Sequence, residues 1–264
     1  MGTMQLIDAI ILGLTQGFTE FIPVSSSGHL ILVGHYLGFQ YSGLAFDTAL
    51  DIGTLTALYA FFARDIWEIV RDTVKGGPKR RLGLYLAAAT VPGVIAGVLI
   101  QGAAETVFRD ARLVAINLIW VGILMYVVDR YSRRHLDLGS VTLPRALTVG
   151  VAQALALVPG VSRSGITITA GRALGFDRVS ATRLSFLLSA PIITGATLKV
   201  VLGGGNLAQM GEAPELYVAG ILAALVSGYA SIKFLLGYLS KHGLGVFALY
   251  RVVVGVIILM VGLR

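Results

Sequence analysis

Residues 13 to 39 and 150 to 176 are two versions of one segment. At a constant offset of 137 they align without a gap and share eleven identical pairs: Gly13/Gly150, Gln16/Gln153, Val24/Val161, Ser25/Ser162, Ser27/Ser164, Gly28/Gly165, Ile31/Ile168, Gly34/Gly171, Leu37/Leu174, Gly38/Gly175 and Phe39/Phe176. Composition alone gives about two or three. Ser, Gln and Gly carry most of the matches, so shared apolar character does not explain them. The chain contains a duplication, and its fold must use one apolar, serine-bearing unit twice.

The solvent for that fold is lipid. Of 264 residues, 56% are hydrophobic and only 13% charged, with mean hydropathy +0.82, against about 25% charged residues in a soluble domain. The absence of Cys excludes a disulfide scaffold, thiolate metal sites and cysteine nucleophiles. The net charge of +7 sits in short clusters between apolar stretches. That pattern is a membrane-topology signal and not a nucleic-acid surface, so nucleic acid is not an expected partner. Met1 to Leu14 has no basic leader and no small-residue cleavage site, and reads as mature protein.

Six stretches reach the roughly 20 apolar residues a spanning helix needs: about 44 to 63, 82 to 102, 112 to 129, 180 to 202, 215 to 238 and 244 to 263. Two further stretches, 4 to 39 and 141 to 176, are broken midway by Pro23-Val24-Ser25-Ser26-Ser27-Gly28 and by Pro159-Gly160-Val161-Ser162-Arg163-Ser164-Gly165. Each predicts a re-entrant hairpin of two half-helices. Arg64, Arg71, Lys75, Lys79, Arg80 and Arg81, then Arg130, Arg133, Arg134 and Arg145, then Arg172, Arg178 and Arg183 mark cytoplasmic loops, whereas 37 to 43 and 203 to 214 hold no Lys or Arg. Arg109 and Arg112 alone weaken the contrast. One hairpin plus three spans per half is an odd number of crossings, so the second half is inserted upside down. The expected fold is an all-α integral membrane protein, a single polytopic domain. It is an inverted-topology repeat (about 4 to 136 and 141 to 264) of six transmembrane helices and two broken hairpins whose tips meet at mid-membrane.

The tips differ where chemistry would reside. Glu20, Ser26 and His29 on the first stand opposite Leu157, Arg163 and Ile166 on the second. An ionisable group at the bilayer centre costs about 2.5 to 3.5 kcal/mol on insertion scales, so these need a polar cavity or a partner. The plain alternative is a structural Glu20 to Arg163 ion pair. Ser25 to Ser27 can cap a half-helix running to Leu37 with Gly38 as its stop, and Ser162 to Ser164 another running to Leu174 before Gly175. Helix starts carrying hydroxyls and an arginine make an anion site suited to phosphate. Gln16 and Glu20 share a helix face and could hold a divalent cation, or form a packed polar stripe. His29, three residues after Ser26, is within reach as base or acid, or is a structural histidine. Asp47 and Asp51 share a face and serve as metal or proton groups, or lie at the membrane surface. Lys199, Lys233 and Arg251, near span ends, are expected to snorkel; His35, His135 and His242 are expected at interfaces or in loops.

QGFTEFIPVSSSGHL (16 to 30) and PGVSRSGIT (159 to 167) resemble the two signature regions of the undecaprenyl-diphosphate phosphatases of the bacitracin-resistance type, and LSFLLSAP (184 to 191) resembles a third run. The resemblance extends over the whole chain. It implies catalytic roles for Glu20, Ser26, His29 and Arg163, substrate binding by Gln16, Ser25, Ser27, Ser162, Ser164, Gly165 and Thr167, and a metal at Glu20 and Gln16. The implied reaction is hydrolysis of a C55 isoprenyl diphosphate to the monophosphate with Mg²⁺ or Ca²⁺, recycling the carrier lipid for cell-wall synthesis and conferring bacitracin resistance. The implied setting is the bacterial inner membrane, and entry of the first hairpin from outside favours a site open to the outer side. Its partners are the polyprenyl diphosphate and membrane lipid; a homodimer is a candidate assembly, since the sequence does not set the oligomeric state. The nucleophile is left open among Ser26, His29 and water. Arg183 and Asp51 depart from the family pattern, which confines the transfer of roles to the two tips. The rival reading is an inverted-repeat transporter or flippase for a lipid phosphate or anion; acid-base groups on one tip alone favour chemistry.

Overall fold

A computed structural model describes residues 5–36, 44–104, 110–132, 135–203, 210–211 and 213–261. Its helices are α1 (Leu6–Phe21), α2 (Ser26–Tyr36), α3 (Leu44–Phe61), α4 (Ala63–Lys75), α5 (Arg80–Ala104), α6 (Ala111–Tyr131), α7 (Leu143–Leu155), α8 (Arg163–Ala173), α9 (Arg178–Leu202), α10 (Pro214–Leu239) and α11 (Gly245–Val261), with a 3-10 turn at Leu138–Ser140. Extended pairing among the described residues is limited to one bridge between Leu136 and Phe176. Four helices have the length and composition to cross a membrane, namely α5 over Arg80–Leu99, α6, α9 and α10, and the shorter α11 is equally apolar. Large apolar side chains face outward, such as Leu99 (77% exposed) and Val226 (63%). The protein is an all-α, multi-pass membrane protein.

Local chemistry sets the two breaks. Helix α1 starts on a reciprocal cap in which the Gln5 backbone N–H donates to Asp8 Oδ2 at 2.8 Å, and it stops at Ile22, extended at φ −65°, ψ 134°, because the following Pro23 disfavours helical geometry before it. The chain re-enters helix through Ser25 at φ 77°, and after the second break through Ser162 at φ 72°; these are the two non-glycine residues at positive φ among those described. Such backbone costs on the order of 1 to 3 kcal/mol and persists only where its surroundings enforce it. Ser162 Oγ accepts from the Gly165 N–H at 3.1 Å, and α8 ends at Leu174 with Gly175 at φ 91°, as expected. The matching stop at Gly38, the loop at 37 to 43, most of 203 to 214 and Arg109 lie outside the described residues.

The duplicated helices dock crosswise. Helix α10 runs along both α1 and α3, α7 along α5, and α6 along α11. A Cβ on Gly13 would lie 2.4 Å from the Gly220 carbonyl oxygen of α10, and one on Gly150 would lie 2.1 Å from that of Ala89 in α5. Both hairpins therefore seat backbone against backbone. Beneath the first break Phe21, Phe62 and Phe186 pack edge to face, with centroids 5.3 and 6.2 Å apart, fixing α1 against α9 and the turn between α3 and α4.

One expectation fails. Lys199 and Lys233 are exposed on their helices, but Arg251 does not snorkel: it is 0% exposed, on the α11 face turned to α6 and the two breaks. Carbonyl oxygens from those breaks and from α6 satisfy its guanidinium where water was expected. His135 and His242 stand in exposed connections as anticipated.

Candidate active site

The two breaks touch. Ser164 Oγ, in the first turn of α8, donates to the carbonyls of Glu20 and Ile22 at 3.2 and 3.4 Å. Arg251 fastens both from behind. Its Nη1 donates to the Pro23 carbonyl at 3.2 Å, its Nη2 to those of Gly160 and Val161 at 2.8 and 3.0 Å and to Asn117 at 3.4 Å, and its Nε to Leu118 at 3.4 Å. Asn117 Nδ2 holds the Pro159 carbonyl at 2.8 Å. Carbonyls freed by the broken helices thus find donors within the protein, as lipid requires.

On this platform Glu20, in the last turn of α1, is the hub. Its Oε2 accepts from Ser26 Oγ at 2.6 Å and from Gln16 Nε2 at 3.3 Å, and its Oε1 lies 3.5 Å from Arg163 Nη1. The Glu20 to Arg163 ion pair is therefore formed. Its geometry is loose, and Arg163 Nη1 is a buried donor with no hydrogen-bond partner, so the guanidinium keeps capacity for another oxygen ligand. Gln16 Nε2 also donates to Asp51 Oδ1 of α3 at 2.9 Å, and Gln16 Oε1 is buried and unpartnered. Among the described residues no three His, Asp or Glu side chains converge into a metal cage; oxygen donors here are two carboxylates, an amide and hydroxyls.

His29 is held apart from Ser26. Its Nδ1 meets the Ser25 carbonyl at 2.8 Å and its Nε2 meets Tyr250 Oη at 2.7 Å. A carbonyl only accepts, so Nδ1 carries the proton and Nε2 accepts from the tyrosine hydroxyl. The imidazole thereby braces the strained Ser25 and stacks on the Tyr250 ring at 5.5 Å. The remaining serines are matched across the repeat: Ser25 and Ser27 hydroxyls lie 3.3 Å apart, as do those of Ser162 and Ser164.

The family model for bacitracin resistance protein BacA matches residues 9–257. The chain belongs to this family. Similar proteins named undecaprenyl-diphosphatase include those of Gemmatimonas aurantiaca (47% identical, covering 97% of each chain), Moorella thermoacetica (44%, 98% of each) and Trichlorobacter lovleyi (44%, 96% of each).

Of the residues that the BacA resemblance singles out, the structure brings together Gln16, Glu20, Ser26 and Arg163, with Ser164 beside them. Ser25, Ser162 and Gly165 form the turns beneath; a Cβ at Gly165 would lie 3.1 Å from Arg251 Nη1. Thr167 is turned to α9, where its Oγ1 meets Ser185 Oγ at 2.6 Å. Arg183 pairs with Asp65 at 2.8 Å, away from the tips. Sequence reasoning missed Tyr250, Arg251 and Asn117. The available signal was isolated polar residues, Asn117 in α6 and Tyr250 and Arg251 in α11, inside otherwise apolar helices.

Proposed function

We propose that the paired tips hydrolyse the terminal phosphate of a polyprenyl diphosphate, with Ser26 as nucleophile and Glu20 as its base. The chain is an undecaprenyl-diphosphatase, a membrane phosphatase that recycles the carrier lipid of cell-wall synthesis and confers bacitracin resistance. The observation that carries the assignment of roles is the 2.6 Å hydrogen bond from Ser26 to Glu20 beside an arginine with an unused donor. Ser26 Oγ attacks the terminal phosphorus as its proton passes to Glu20. The bond from phosphorus to the bridging oxygen breaks, and its electron pair leaves on the polyprenyl monophosphate, which takes the proton back from Glu20. A water then gives a proton to Glu20 and attacks the phosphoserine, and Ser26 recovers that proton as inorganic phosphate departs. Arg163 holds the equatorial oxygens, where charge builds up during transfer. His29 orients the Ser25 turn through its Nδ1–H.

A divalent cation, Mg²⁺ or Ca²⁺, fits beside Glu20 and Gln16, because Gln16 Oε1 is a buried, unpartnered oxygen and hard cations take oxygen ligands. It would neutralise diphosphate charge when bound. The inverted repeat of six spans is supported by the matched positive φ of Ser25 and Ser162 and by the crosswise docking of Gly13 and Gly150. The cation-rich connections favour a cytoplasmic position for α4, leaving the first hairpin and the site to the outer face of the inner membrane. Assembly as a homodimer would be read from the mass of the protein in detergent.

The test is phosphate release from a C55 or C15 prenyl diphosphate by the purified chain, with and without chelator. Turnover by the wild type, loss of about 10² to 10⁴-fold in Glu20→Gln, and no turnover or phosphoserine in Ser26→Ala are expected. Ser26→Ala turning over at the wild-type rate would transfer the nucleophile's role to water. Lipid binding without release under any cation would hand the site to transport.

A further inference from the structure

Glu20 and Asp51 stand on different helices, α1 and α3, yet both turn a carboxylate oxygen to the same Gln16 Nε2, at 3.3 and 2.9 Å. Two carboxylates gathered on one amide in a low-dielectric interior repel each other unless something positive is shared between them. Arg163 sits at the outer edge, 3.5 Å from the Glu20 oxygen that faces away from Gln16, and it balances one charge of the two. Gln16 is itself 4% exposed, and its Oε1 is a buried acceptor for which no protein donor is provided. An unsatisfied buried oxygen beside two carboxylates suits a divalent cation, since a bound ion would use the first and neutralise the second.

We infer that Asp51 supplies the second carboxylate of a divalent-cation site whose other protein oxygens come from Glu20 and the Gln16 carbonyl, joining α3 to the α1 tip through the ion. The inference rests on the phosphatase reading for its purpose and on the geometry for its location. All three donors are hard oxygens, which selects Mg²⁺, Mn²⁺ or Ca²⁺ over softer metals. The site lies beside the hydroxyl of Ser26, which shares Glu20 Oε2 with Gln16. Asp47, one helical turn earlier on α3, is the nearest further acid on the same face.

The test reads metal binding apart from turnover. Mn²⁺ is titrated into the full-length chain in detergent, bound ion is followed by loss of the free Mn²⁺ paramagnetic signal, and Mg²⁺ is then added as competitor. Wild type is expected to bind one displaceable Mn²⁺ per chain. Asp51→Asn should weaken that binding by about tenfold or more and raise by a similar factor the Mg²⁺ concentration at half-maximal phosphate release. A double variant, Gln16→Glu with Asp51→Asn, moves the carboxylate across the hydrogen bond to the other helix and should restore binding, which also shows that the single variant is not merely misfolded. Asp51→Asn binding Mn²⁺ as wild type does would overturn the inference, and if turnover were lost at the same time Asp51 would be a proton carrier. Mn²⁺ binding that depends on Asp51 in a chain releasing no phosphate would keep the cation site and sink the phosphatase reading.

Discussion

Five carbonyl oxygens converge on the guanidinium of Arg251, and it is fully buried. Only a planar fork with several donors serves partners spread over both breaks and α6; an ammonium is a compact point charge. Arg251→Lys should therefore lower kcat at least about tenfold and lower the melting temperature in detergent. Arg251→Met, which strands those carbonyls, should cost about 1 to 3 kcal/mol for each that finds no donor, read by thermal unfolding. Tyr250→Phe is the subtler probe. It removes the hydroxyl facing His29 Nε2 but leaves the Nδ1 bond to Ser25 intact, so it should change turnover by less than about tenfold, whereas His29→Ala, which releases the strained turn, should lose more.

Glu20, Ser26 and Arg163 were legible in the sequence because each is polar in an apolar, proline-broken run, and the duplication said that the two runs are equivalent. Arg251 was not. It lies 228 positions from Pro23, whose carbonyl it holds, and an arginine near the end of an apolar span looks the same whether it reaches for water or for buried carbonyls. His29 shows a different limit: its spacing from Ser26 allowed a hydrogen bond, while the partners it chose come from the Ser25 backbone and from α11.

At the scale of elements, helices meet through missing side chains. Gly13→Leu and Gly150→Leu would each drive carbons into a carbonyl now in direct contact, and each should destabilise the fold by about 1 to 3 kcal/mol or more; equal effects are expected if the two dockings are equivalent. Helix α4 obeys different rules. It turns Ile69 inward and leaves Trp67, Val70 and Val74 exposed on one stripe, at 67%, 53% and 81%. Arg64, Arg71 and Lys75 occupy the neighbouring stripe. This is the layout of a helix lying in the headgroup layer, so in a Trp120→Phe background Trp67 fluorescence should be quenched by lipids brominated near the headgroup. Hydrogen bonds from Lys79 and Arg64 hold Glu68 down to about 2. A carboxylate lowered by folding adds stability that is complete above the ordinary glutamate value of 4.5 and fades as pH falls through about 2. The difference in unfolding midpoint between wild type and Glu68→Gln should be present at pH 7 and close at pH 2.

At the scale of the whole molecule, two broken segments of similar sequence meet, and they bring Glu20 from one against Arg163 from the other. Because the chain has no Cys, its placement in the membrane can be read directly. A single cysteine at Lys75 should react with an impermeant maleimide only after the cytoplasmic face is opened. The fastening of both breaks by one residue has a mechanical consequence. Separating the tips strips one guanidinium from carbonyls on both sides simultaneously, so the two breaks are expected to move together as one clamp.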